Sequence, residues 1–318
     1  MTASPRAGKR LKIALSLGLT LALALLAGFY VRNHLEEFRQ LWSRPVPAGL
    51  WLSLAGVYCG ALVLSSEIIR LGINVQGLSL TFSEGLALSM STMAANYFLP
   101  LKGGSGLRAL YCLTRYKMPL SDFVAQLLAV SVHTLAVSSL LGLGSILIIN
   151  PPLGRDLLLL YFSLFFLAGL ASLLWLGRLN LSRFPRLANL ARGWDLFRAR
   201  KNVLLKLTAC QVAYFLLLAL INQLCFKAYE VTLTLPQALF YGVGQIHSTI
   251  INLTPAGLGI VETFGVLAGQ ILGFSPAEAL MAQGLNRLMQ LSLMILISLW
   301  GWPYLSRLKV QKTKGAGA

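Results

Sequence analysis

Residues 248–262 read Ser-Thr-Ile-Ile-Asn-Leu-Thr-Pro-Ala-Gly-Leu-Gly-Ile-Val-Glu, and apolar segments flank them on both sides. The flanks belong at membrane depth; the stretch itself does not continue a helix. Pro255 lacks a backbone donor, and Gly257 and Gly259 weaken helical propensity. Asn252, Thr254 and Glu262 add polar groups. Non-helical backbone is tolerated at that depth only where it is buried in protein or lines a wet cavity. Residues 96–108, with Asn96, Pro100, Lys102, Gly103, Gly104, Gly106 and Arg108, pose the same problem earlier in the chain.

The rest of the composition requires a membrane. The chain has 318 residues, 56% of them hydrophobic and 12% charged. A soluble domain carries about 25% charged residues. The net charge of +17 fits orientation in a bilayer and contact with anionic lipid heads. No segment is long enough to fold into the soluble basic face that nucleic-acid binding needs. Cys59, Cys112, Cys210 and Cys225 are scattered without metal-ligand spacing and read as small buried hydrophobes. No cofactor is expected, and the chain shows no phosphate-cradling glycine loop for ATP.

Taken in order, residues 1–12 form a basic tail that belongs in the cytoplasm, and 13–31 are one apolar crossing, retained as a signal anchor. Residues 50–70 form a second crossing that ends in Glu67 and Arg70, spaced to pair on one helix face. Residues 80–99 are helical and rich in small residues, with an N-cap in Thr81–Glu84. A short basic helix follows at about 107–117. Ser121 and Asp122 are positioned to cap a third crossing, 122–149, and 157–177 make a fourth. Residues 178–206 are strongly basic and mark a cytoplasmic loop with an amphipathic helix. Residues 204–226 cross again. From 228 to 286 there is no Lys or Arg, which fits the opposite side. There 235–252 and 260–273 are helical, before Ser275-Pro276 opens the last helix at 277–302.

The expected fold is therefore an all-α polytopic membrane protein, a single domain over 1–318. It has about six crossings and two re-entrant hairpins, 81–118 in the first half (13–177) and 235–274 in the second (204–304). Both termini lie in the cytoplasm of a bacterial-type plasma membrane. The halves superimpose: each has a Pro/Gly break, a serine about twenty residues on, and a polar residue twelve beyond it, His133 in one and Arg287 in the other. Opposite charge markers make this an inverted repeat, which in transporters points to a central site.

At these breaks the chain resembles the flippase-like transmembrane region of lysylphosphatidylglycerol synthases. One family motif, N-x-x-x-P-x-[RK]-x-G-[ED]-x-x-R, is met by Asn96, Pro100, Lys102, Gly104 and Arg108, with Ser105 in place of the acid. The other, P-x-G-x-G-x-x-E, is complete as Pro255, Gly257, Gly259 and Glu262, followed by Arg287. Where the family often has an acidic-basic pair, this chain has Val132-His133-Thr134. The resemblance implies movement of lipids or lipid-linked headgroups between leaflets. The soluble transferase domain of the synthases is not expected here, because the chain ends about fifteen residues after its last helix.

The expected pathway residues are Asn96, Pro100, Lys102, Gly104, Arg108, His247, Asn252, Thr254, Pro255, Gly257, Gly259, Glu262 and Arg287. Arg108 and Arg287 suit a phosphate, because the guanidinium fork binds oxyanions bidentately. Glu262 balances Arg287 or meets a cationic headgroup; Gln245, like the asparagines, offers neutral hydrogen bonds. No catalytic constellation or metal site is readable. The alternatives are a membrane-embedded lipid-modifying enzyme and a non-catalytic partner of a separate lipid synthase. The expected partners are anionic phospholipids or lipid-linked substrates.

Overall fold

The computed structural model describes residues 32, 35–43, 45–98, 103–175, 195, 199–248, 254 and 257–307. The expected crossing at 13–31 and most of the basic loop 178–206 lie outside the described residues, as do Pro100, Lys102, Asn252 and Pro255. Among the described residues the protein is all α. Its ten helices are α1 (Leu35–Trp42), α2 (Ala48–Asn74), α3 (Phe82–Phe98), α4 (Gly103–Arg115), α5 (Leu120–Ile149), α6 (Arg155–Trp175), α7 (Lys201–Lys227), α8 (Leu235–Ser248), α9 (Ile260–Ile271) and α10 (Pro276–Arg307).

Four of these, α2, α5, α6 and α7, are long and apolar enough to cross a bilayer. A crossing takes about 20 apolar residues. Helix α10 has the length, at 32 residues, but carries Glu278, Gln283, Asn286, Arg287 and Gln290. By contrast α3, α4, α8 and α9 have 17, 13, 14 and 12 residues.

The distribution of polarity is that of a membrane protein. Leucines such as Leu147, Leu157, Leu164 and Leu205 are exposed on the outer faces, while Ser66, Gln126, His133, Ser138, Gln211, Asn222, His247 and Gln283 are buried. In lipid the exterior has no reason to be polar, and buried polar groups serve as interhelical glue. Thus the His133 ring meets Gln211 Oε1 at 2.6 Å and Thr208 Oγ1 at 3.0 Å, and Gln211 Nε2 donates to Thr134 Oγ1 at 2.7 Å, tying α5 to α7. Arg70 pairs with Glu67 through both carboxylate oxygens, at 2.7 and 2.6 Å, as the spacing predicts. Cysteines 112 and 225 are buried as expected, whereas Cys59 is exposed on α2.

The stronger contacts among eight of the helices follow one rule. Exchange α2 with α7, α3 with α8, α4 with α9 and α5 with α10, and the set of packed pairs is unchanged. Helix α3 lies on α10 as α8 lies on α5; α2 and α7 pack on each other across the exchange. The caps repeat too. Thr81 N–H donates to Glu84 Oε2 at 3.0 Å at the start of α3, and Thr234 N–H donates to Gln237 Oε1 at 2.9 Å at the start of α8. These are capping boxes or their reciprocal half.

Two local expectations need correction. Helix α4 begins at Gly103, not near 107, so the glycines are its first turn and not a break. A Cβ on Gly104 would stand 2.1 Å from the Thr92 carbonyl oxygen and 2.6 Å from Asn96 Oδ1. The glycine is there to let α4 approach α3. Helix α5 starts one residue before Ser121, with Pro119 as its N-cap, and the Ser121 hydroxyl donates instead to Asp122 Oδ1 at 3.1 Å. Proline's fixed φ ends the preceding turn and leaves that serine inside the helix. Ser275, by contrast, caps α10 as expected: Glu278 N–H donates to its hydroxyl at 3.2 Å, and Ser275 N–H donates to Glu278 Oε2 at 2.9 Å.

Gly104 and Gly106 give a matched test of that packing. Nothing lies within 4 Å of a Cβ built at Gly106. Gly104→Ala should lower stability by about 1–3 kcal/mol, because the Thr92 backbone cannot yield, while Gly106→Ala should leave the thermal midpoint in detergent unchanged or slightly raised. Equal midpoints for the two variants would contradict the close α3–α4 approach.

Candidate functional site

The second break is built from its turn upward. Thr254 is buried, and its hydroxyl donates to the Leu258 carbonyl at 2.9 Å, while Gly257 N–H donates to the Thr254 carbonyl at 3.1 Å. Gly257 and Gly259 sit at φ of 66° and 81°. That region strains a residue with a Cβ, so glycine is what allows the chain to turn directly into α9. Glu262 lies in the first turn of α9, and its Oε2 accepts the Gly259 N–H at 2.7 Å. Its other oxygen, Oε1, accepts from Arg287 Nε on α10. The carboxylate therefore caps α9, where negative charge is favoured, and binds α9 to α10. Both side chains are largely buried, with 18% of Arg287 and 23% of Glu262 exposed.

Beside this pair is a cavity of about 200 Å³. It is lined from the first half by Met93, Asn96 and Tyr97 on α3, and from the second by Tyr214, Gln245, Gln283, Asn286, Arg287 and Gln290, among others. Tyr97 donates to Gln290 Oε1 at 2.6 Å and joins the halves across the cavity. Tyr58 on α2 donates to the Asn286 carbonyl at 3.2 Å. Gln283 is held from two directions: its Nε2 donates to Tyr241 Oη at 2.9 Å and to the Val261 carbonyl at 3.4 Å. Its place depends on Gly265, where a Cβ would collide with Gln283 Nε2.

At the first break Asn96 Oδ1 accepts the Gly104 N–H at 2.8 Å, which closes α3 onto α4. Arg108 lies one turn further along α4. Its Nη2 donates to Ser105 Oγ over a long 3.4 Å, and its Nε is buried with no hydrogen-bond partner among the described residues. The serine that replaces the expected acid is thus within reach of Arg108 but brings no counter-charge. At the far end of the hairpin Glu84 is buried and accepts from Tyr111 at 2.9 Å and from Tyr116 at 3.1 Å, with Arg115 Nε at 3.4 Å.

The structure therefore brings Asn96, Glu262 and Arg287 together. Gly104 and Arg108 attach to the first break, and Thr254, Gly257 and Gly259 shape the second. His247 is elsewhere. Its ring faces α5 and α6, meeting Ser138 Oγ and Tyr161 Oη, each at 3.0 Å, and it packs against Phe162 and Phe165. Sequence reasoning missed Tyr97, Gln283, Asn286 and Gln290. A signal existed for three of them: with Arg287 they recur at i, i+3, i+4 and i+7, a polar stripe on one face of α10.

Fold and site together define a polytopic membrane protein with a polar cavity where two halves meet. Residues 11–298 match the family described as the lysylphosphatidylglycerol synthase TM region, nearly the whole chain, and the protein belongs to that family. No curated protein and no solved structure matches the chain.

Breaking the pair should cost more than removing it. A buried charge left without its partner is destabilising by a few kcal/mol, whereas a neutral replacement of both is tolerated. Glu262→Gln and Arg287→Gln should each lower the thermal midpoint more than the double variant does. Additive single effects would show that the two side chains do not depend on each other.

Proposed function

We propose that this protein is a lipid translocase, moving a phospholipid or lipid-linked polar headgroup between leaflets of a bacterial-type plasma membrane. The observation that carries the reading is the polar cavity lined from both halves at the Glu262–Arg287 pair. A charged group at the bilayer centre costs at least about 2.5–3.5 kcal/mol. A cavity lined by amides, phenols and a guanidinium lowers that cost for a headgroup while the acyl chains stay in lipid. Its volume is below the about 300–1,000 Å³ of drug-sized pockets, which suits a headgroup alone. Arg287 at the cavity, and Arg108, whose Nε has no partner among the described residues, supply the attraction for a phosphate.

In this reading the paired short helices α3–α4 and α8–α9 are re-entrant hairpins that enter from opposite faces, and the exchange symmetry of the helix contacts is that of an inverted repeat. Each helix of the two pairs is shorter than a crossing. Inverted repeats place substrate sites at the repeat interface, where this cavity lies. The basic segments set both termini and the 178–206 loop in the cytoplasm. A separate lipid-modifying enzyme would then supply or consume the transported lipid.

Two measurements test this. In proteoliposomes, exchange of acyl-labelled phospholipid between leaflets should exceed that of protein-free vesicles and fall at least about tenfold in Arg287→Ala, a loss near 1.4 kcal/mol. Unchanged exchange in both Arg287→Ala and Glu262→Ala would remove the pair from the pathway. For topology, in a cysteine-free background, Gly106→Cys should react with impermeant maleimide from the cytoplasmic side and Leu258→Cys from the other. Labelling of both from one side would exclude opposed hairpins.

A further inference from the structure

The polar lining of the cavity is unevenly supplied with partners. Gln283 Oε1 and Asn286 Oδ1 are buried acceptors with no hydrogen-bond partner among the described residues. The orientation of the Gln283 amide is fixed by chemistry: its other end lies against the Val261 carbonyl, which only accepts, so that end is the NH₂ group and the unsatisfied atom is the oxygen. A buried acceptor left without a donor keeps its full desolvation penalty. These two sit three residues apart on one face of α10, beside Arg287. Both residues line the cavity, and a donor inserted beside α10 would meet the two oxygens.

The charge of the lining restricts which donors qualify. Arg287 is balanced by Glu262, and both oxygens of Glu262 are committed, one to Arg287 and one to the Gly259 N–H. Among the described residues that line the cavity, none besides Arg287 carries a charge. An ammonium group placed there would lose its hydration without gaining a free carboxylate, and an uncompensated buried cation is far costlier than a buried hydroxyl. Hydroxyls satisfy the two oxygens at no such cost.

We propose that the cavity selects a lipid whose headgroup is uncharged at its tip and rich in hydroxyl donors, a polyol or sugar, and rejects a cationic aminoacyl headgroup. This rests on the reading of the cavity as a headgroup site, and its test separates the two. Thermal midpoints of the detergent-solubilised protein are titrated with dihexanoyl phosphatidylglycerol and with its cationic aminoacyl ester. The hydroxyl lipid should bind at least about tenfold more tightly. Gln283→Leu should weaken it about fivefold, the value of one hydrogen bond near 1 kcal/mol, with no gain for the cationic lipid. Asn286→Asp, nearly isosteric, should shift preference toward the cationic lipid by supplying the missing carboxylate.

Equal affinities, a preference of the unmodified protein for the cationic lipid, or no midpoint shift with either would overturn the proposal. Leaflet exchange with no headgroup preference would also sink it while leaving translocation intact. Selective binding without exchange would leave the proposal standing and sink translocation.

Discussion

The carboxylate of Glu262 is the point on which this architecture turns. One oxygen closes the first turn of α9 on Gly259; the other holds the Arg287 guanidinium of α10. In hydrocarbon a broken helix exposes backbone donors that no water can satisfy, so the break survives only with substitutes. Glu262 is such a substitute, and the cost of burying its charge is met by Arg287. The pair in turn sets where α10 presents its polar stripe. Tyr97 reaches that stripe from the first half, so the cavity wall is shared between the halves.

The two breaks solve the same problem with different charge. At the first, a neutral amide, Asn96 Oδ1, takes the Gly104 N–H; at the second, an ionised carboxylate takes the Gly259 N–H. One half thus keeps an ion pair beside the cavity, while the other keeps a guanidinium, Arg108, whose Nη2 donates to a serine. The position that corresponds to Arg287 is His133, and it is absorbed into a neutral network with Gln211 and Thr208. The helix contacts are symmetric and the electrostatics are not: the ion pair beside the cavity belongs to the second half.

Much of the scaffold was legible because lipid imposes simple rules on sequence. Apolar runs marked α2, α5, α6 and α7, while Thr81–Glu84 and Ser275-Pro276 marked the starts of α3 and α10. The pairing of Glu262 with Arg287 was one of two roles the sequence left open for that carboxylate, and the structure shows the pair. What the sequence pattern does not show is set by packing between helices. Gly103 to Gly106 look like a helix break, yet they start α4, because a close neighbour can demand glycine inside a helix as strongly as a turn does. The partners of His247, Ser138 and Tyr161, are likewise set by tertiary packing about a hundred residues away. The amides of α10 were visible as a stripe, but only the fold shows that Gln283 and Asn286 keep acceptors unmet.

The claim at the centre of this account is that a headgroup occupies the cavity between the halves. It is tested most directly by irradiating membranes that contain the protein and a phospholipid with a photoreactive headgroup, then mapping the adducts by mass spectrometry. Adducts should concentrate on Met93, Tyr97, Asn286 and Gln290, and excess unlabelled lipid should compete them away. Adducts confined to outward-facing residues such as Leu164, or cavity adducts that competitor leaves unchanged, would contradict it.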